Sequence, residues 1–218
     1  MADGFEMMVD SALAFFAELK NNNSKDWFNP RKDHYKTEIQ KPAELLADLM
    51  AEDLSRMMGR SYKPKVFRIY RDVRFSKDKT PLNTHLHVMW GDAQASGPAP
   101  SVFFGLSEAY FMMGAGLMGL QGPSLTRFRE HIDMHGDDLQ DALNTAANSG
   151  VAISDWGPEP LKRVPKPFDQ DHPHADLLKR KAFTVQAPIP DEWRINGLTR
   201  AMVARVSDLK PVMDQLQV

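Results

Sequence analysis

Apolar residues recur at helical spacing near both ends of the chain and at every second position in its middle. Asp10-Ser11 is suited to cap a helix in which Leu13, Phe16 and Leu19 face one way, and Asn21-Asn22-Asn23 stops it. A second helical segment runs from Pro30, a residue that fits the first turn of a helix, to about Met58. Its apolar line is Tyr35, Ile39, Leu46, Leu49 and Met57, and Pro42 either kinks it or starts a new helix.

The period then changes. From Lys65 to Phe75 the chain alternates, with Phe67, Ile69, Val73 and Phe75 on one face and Arg68, Tyr70, Asp72 and Arg74 on the other, which predicts a half-buried strand. Thr84 to Trp90 alternates in the same way. Val102–Leu106 and Ala109–Met113 flank Ser107-Glu108 and predict a hairpin.

Helices return after Pro123, first with Leu125, Phe128 and Ile132 on one face, then from about Asp137 to Asn148. Short extended pieces are expected at Val151–Ser154 and Ala182–Gln186, around a Pro-rich crossing from Gly157 to Phe168 and a helix at Asp176–Lys181. The closing stripe is Leu198, Met202, Val206, Leu209, Met213 and Leu216, which Pro211 can bend. Strands clustered between helical runs, without β-α-β alternation, predict an α+β fold. The expectation is a single domain, 1–218, whose central antiparallel sheet (about 65–118) is packed by N-terminal helices (about 10–58), with a helical and loop region (about 123–218) supplying the middle and C-terminal ones.

Composition narrows the chemistry. The chain has no cysteine, which excludes a disulfide scaffold, a thiolate nucleophile, an iron–sulfur cluster and every Cys-based zinc site. The N-terminal residues Met1-Ala2-Asp3-Gly4-Phe5-Glu6 carry acid where a secretory signal carries Lys or Arg. Ala93–Thr126 has Glu108 as its sole charge but is dotted with Gly and Pro, so it does not span a bilayer as one helix. A soluble, cytoplasmic protein with no membrane partner is the expectation. The formal net charge of −2 conceals a polarised chain. From Arg60 to Lys79 there are eight basic residues against Asp72 and Asp78, a local excess of +6 set against −8 elsewhere.

Three patterns carry candidate chemistry. Gly114-Ala-Gly116-Leu-Met-Gly119 spells GxGxxG, the phosphate-cradling turn of dinucleotide folds, but no β-α-β unit surrounds it, and a strand bulge or tight turn explains it as well. His85/His87, His131/His135 and His172/His174 each have chelating spacing, yet none has a carboxylate at a recognised ligand spacing, so no metal and no cofactor is assigned. The strongest pattern is the basic segment. Arg68, Arg71, Asp72, Arg74, Ser76, Lys77, Asp78, Lys79 and Thr80 make an anion-attracting surface, because Arg forks match phosphate and carboxylate oxygens and a Ser/Thr-bearing turn adds donors. Asp72 or Asp78 orients these cations, or acts as a base if burial raises its pKa. An ion-pair network on a solvated sheet face is the structural alternative.

The leading expectation is a small anionic, phosphate- or carboxylate-bearing ligand held through Arg71–Thr80, with catalysis left open. A module docking an acidic protein or an RNA backbone is the alternative, and a metal-dependent hydrolase using His85, His87 and Asp72 a further one. Nucleic acid is disfavoured because Phe67, Tyr70 and Phe75 mostly alternate onto the apolar face. The basic, prolyl-stiffened Leu161–Lys181 segment is either a solvated loop or a flap over such a ligand.

Several segments together resemble a known family. They are Leu19-Lys-Asn-Asn-Asn23 with Trp27-Phe28, Arg71-Asp-Val-Arg-Phe-Ser-Lys-Asp-Lys-Thr-Pro81, Gly114-Ala-Gly116, Arg163-Val-Pro-Lys-Pro-Phe-Asp169 with His172-Pro173, and Leu178-Lys-Arg-Lys181. The chain is similar over nearly its whole length to an uncharacterised, conserved-hypothetical family classed as a domain of unknown function. That resemblance implies a cytoplasmic α+β domain and carries over no activity, cofactor or catalytic residue.

Overall fold

The helix α1 (Glu6–Asn21) begins four residues before the expected Asp10-Ser11 cap. The reason is apolar burial: Phe5, Met8 and Val9 are all core residues, and they extend the stripe of Ala12, Phe15, Phe16 and Leu19 backwards. Asp10 therefore sits within the helix and pairs with Arg194 at 2.6 Å. The computed structural model describes residues 3–217.

The next stretch is helical but irregular. α2 (Lys25–Phe28) is capped by Ser24, whose Oγ accepts from the Trp27 amide. A 3₁₀ turn (Asn29–Arg31), one turn of α-helix α3 (Lys32–His34) and a π-helical stretch (Tyr35–Gln40) lead directly into α4 (Lys41–Met58). Pro42 falls in the first turn of α4, where its missing N–H costs nothing. The buried stripe of α4 is Ala43, Leu46, Ala47, Met50, Ala51 and Leu54, whereas Leu49, expected inside, is exposed.

Six strands follow: β1 (Tyr62–Val66), β2 (Leu86–Asp92), β3 (Ser101–Leu106), β4 (Phe111–Leu117), β5 (Ala152–Ile153) and β6 (Phe183–Pro188). They form one antiparallel sheet in the order β1-β2-β3-β4-β6-β5, as the α+β pattern predicts. β3 and β4 form the hairpin expected around Ser107-Glu108, closed by the Ser107 amide donating to the Tyr110 carbonyl. The remaining helices are α5 (Gly122–Ala147), α6 (Ala175–Leu178), α7 (Trp193–Asn196) and α8 (Leu198–Asp214). α5 merges the two helices expected there, with a non-helical residue, His135, at the join.

By its contacts the chain divides into two compact units. The first comprises the residues up to Trp90, Phe103–Met112 and Ile189–Val203. Its core contains Phe15, Phe16, Phe28 and Tyr35 in tilted or edge-to-face contact, and a fully buried Trp90 whose Nε1 donates to the Ala47 carbonyl at 2.8 Å. Burial pushes the Tyr35 hydroxyl up to about 12.

The second unit comprises Gly91–Val102, Met113–Pro188 and the residues from Ala204 onward. Here the GxGxxG pattern finds its explanation. Gly114 and Gly116 lie within β4, and a Cβ on Gly116 (φ +146) would fall 2.1 Å from the Phe183 carbonyl oxygen of β6. These glycines admit a neighbouring strand rather than open a helix.

The same unit absorbs most of the histidine pairs. His172 and His174 reach Asp133 (3.1 Å) and Asp137 (2.9 Å), carboxylates one turn apart on α5. Gly136 makes room for the His174 ring, which would otherwise lie 2.2 Å from a Cβ. His131 bonds to the Gln215 carbonyl at 2.6 Å. Leu161–Lys181 is thereby tied to α5 through His172 and His174, while the Leu161 amide donates to the Lys179 carbonyl.

Candidate functional site

The alternating pattern predicts a strand through Phe75, but β1 ends at Val66. Pairing continues only in part: the Phe67 amide donates to His87, the Asn83 amide to Ile69 and the Arg71 amide to Pro81, with a bridge between Tyr70 and Leu82. Beyond Arg71 the polar side chains take over the backbone's hydrogen bonds, which is how Asp, Ser and Thr compete with a ladder. The Asp78 carboxylate accepts from the Thr80 amide (2.9 Å) and from Arg71 Nη1 (2.6 Å), while Arg71 Nη1 also donates to the Thr80 carbonyl at 3.0 Å and to its hydroxyl. Asp72 receives a forked pair from Arg74, at 2.9 and 2.7 Å, and Lys79 Nζ donates to the Val73 carbonyl. The segment is a braced finger, not a strand.

Two expectations change in consequence. The Phe67 ring is 39% exposed, and Phe75 at the finger's tip is 95% exposed; of the inward-facing set, Ile69 alone is buried. The ground for setting aside aromatic stacking therefore does not hold for Phe67, Tyr70 and Phe75. Neither Asp72 nor Asp78 is buried. The Arg74 fork holds the Asp72 carboxyl below its ordinary value, and the Thr80 amide and Arg71 bring Asp78 down to about 2. Both brace cations, and the burial that would raise either pKa is absent.

At the root of the finger lie two adjoining hollows that share Arg71, Asn83 and His85. The larger, about 480 Å³, is also lined by Lys20, Asn23, Asp78 and Thr80. The smaller, about 290 Å³, is lined by Phe67, Arg68, Tyr70, Asp72 and His87 as well. The larger lies in the range typical of small-molecule sites.

β2 and its approach supply the histidines. His85 and His87 point to the same face, as alternate strand residues must, and their rings stack at 3.9 Å. His87 Nε2 is 2.7 Å from the Tyr110 hydroxyl. Burial and the neighbouring His85 push His87 down to about 4, and burial with the Arg71 charge lowers His85. Positive charge in the cleft thus comes from guanidinium rather than imidazolium. The Arg68 guanidinium hydrogen-bonds to nothing among the described residues, although its charge reaches Asp72.

Of the residues expected from sequence, Arg68, Arg71, Asp72, Asp78 and Thr80 line these hollows, whereas Arg74, Ser76, Lys77 and Lys79 lie outside both linings. Lys20, Asn23, Phe67, Tyr70, Asn83 and Thr84 were not among those expected to bind ligand. A signal for two of them existed, since Lys20 and Asn23 lie in the Leu19–Asn23 segment. Among the described residues no three His, Asp or Glu side chains form a group able to hold a metal ion, and the Asp72 carboxylate is held by Arg74.

A family model described as conserved hypothetical protein, DUF2461, matches residues 11–214. The chain belongs to that family. Both segments that meet at the cleft, Leu19–Asn23 and Arg71–Pro81, lie within the span this DUF2461 model covers. No curated protein and no solved structure matches the chain. No helix among the described residues is long and apolar enough to cross a membrane.

Proposed function

We propose that this protein binds a small anionic ligand, carrying phosphate or carboxylate, in the cleft at the root of the Arg71–Thr80 finger. One observation carries the reading: Arg71, pinned by Asp78 and Thr80, stands in the wall common to both hollows, and in the smaller one it is joined by the Arg68 guanidinium, which hydrogen-bonds to none of the described residues. A braced guanidinium loses little entropy on meeting an anion, and the uncharged His85 offers a ring N–H as a further donor. A thermal-shift screen of sugar phosphates, nucleotides and organic acids tests it. Ligands raise the Tm of the native protein and not of an Arg68→Ala/Arg71→Ala variant; equal shifts in the two overturn the reading.

A second reading rests on Phe75. A ring 95% exposed on a braced, basic finger is suited to docking an acidic protein surface. Phe75→Ser abolishes such docking while leaving small-anion binding intact.

A further inference from the structure

The smaller hollow joins two chemistries that a simple anion does not need together. Four of its lining residues carry rings, namely Phe67, Tyr70, His85 and His87, and two carry guanidiniums, Arg68 and Arg71. Phe67 and Tyr70 are each more than one-third exposed, although both are apolar enough to be buried, and Lys65 Nζ stands over one face of the Phe67 ring at 4.9 Å, leaving the other for a ligand. Tyr70 is fixed by edge contact with Phe28 at 5.7 Å, and His85 is fixed by its stack on His87. Asn83 Nδ2 donates to the Arg68 carbonyl at 3.2 Å, and Asn83 Oδ1 accepts nothing from the described residues. Asn83 lines the same hollow, and its amide oxygen is an acceptor for an exocyclic amino group.

We infer that the anionic ligand is a mononucleotide. Its base lies against the Phe67, Tyr70 and His85 rings, and its phosphates meet Arg68 and Arg71. The inference rests on the anion-binding reading and narrows it. Aromatic faces accept a base by stacking, whereas a bare phosphate gains nothing from them. His85 and His87 stay neutral at pH 7, so they add ring surface without a charge that would favour any anion indiscriminately.

The test is calorimetry on the full chain with ATP, AMP, adenosine and inorganic tripolyphosphate, alongside Arg68→Ala and Phe67→Leu variants whose folding is checked by circular dichroism. ATP or AMP is expected to bind about ten-fold more tightly than either adenosine or tripolyphosphate. Arg68→Ala lowers nucleotide affinity about ten-fold, and Phe67→Leu lowers it for nucleotides but leaves tripolyphosphate unchanged. If tripolyphosphate binds as tightly as ATP and Phe67→Leu changes neither, the nucleotide inference falls while anion binding stands. If none of the four binds, the nucleotide inference falls, and the anion reading falls with it only when the sugar phosphates and organic acids of the thermal-shift screen also fail. If a short single-stranded oligonucleotide binds with steep salt dependence and no mononucleotide does, the surface reads a strand and the inference is overturned.

Discussion

Asn23 pairs with Leu82 as one strand pairs with another. Its Nδ2 donates to the Leu82 carbonyl at 2.8 Å and its Oδ1 accepts from the Leu82 amide at 3.1 Å, across 59 residues of chain. One side chain thus replaces a missing stretch of ladder and fastens the C-terminal root of the finger to the end of α1.

Asn23→Ala leaves both backbone groups of the buried Leu82 without partners. The expected cost is about 1–3 kcal/mol of stability, read by urea denaturation. Hydrogen exchange is expected to quicken at Arg71 and Asn83, whose amides join the two sides of the finger root.

Stability depends on pH through His87. Its folded-state pKa of about 4 lies below the ~6.5 of an unfolded chain, so between those values the unfolded chain binds a proton that the folded one lacks. The stabilisation is fully present above about pH 6.5 and is lost as pH falls towards 4, by up to ~1.4 kcal/mol per pH unit. His85, lowered in the same direction, adds to the slope. His87→Gln flattens Tm against pH over this window; an unchanged slope would place the titration elsewhere.

Gly116→Ala places a methyl group against the Phe183 carbonyl at a backbone angle that L-residues avoid. Separation of β4 from β6 is expected, at a cost of at least ~2 kcal/mol by denaturant melting. A near-neutral result would mean that the two strands part easily.

Phe75→Ser touches only solvent and the Arg74 guanidinium, 5.8 Å from the ring. Tm is expected to stay within about 2 °C of the native value. A larger fall would show that the finger's fold depends on its tip.

Much of the architecture follows from local pattern. The C-terminal stripe from Leu198 to Leu216 is buried at every expected position, and the β3–β4 hairpin turns where Ser107-Glu108 indicates. Helical and strand periodicities survive folding because each records one face turned towards the core. Patterning misleads where polar side chains compete with the ladder. Phe67 and Phe75 alternate like core residues, yet Asp72, Asp78, Lys79 and Thr80 consume the bonds that would have extended β1. The π-helical approach to α4 and the early start of α1 depend on packing partners distant in the chain.

For the candidate site, sequence alone determined the concentration of Arg and Lys from residue 60 to 79 and the types of chemistry open to a chain without cysteine. Which of those cations face a cleft was decided by tertiary structure. Arg71 is held at its wall by Asp78 and Thr80, whereas Arg74, paired with Asp72, lies outside both linings. Asn23, His85 and Tyr70 join Arg71 there because antiparallel pairing and one Asn side chain bring separate segments together. Charge density is a local property of sequence. Convergence is set by contacts between residues far apart in the chain, which no window of sequence contains.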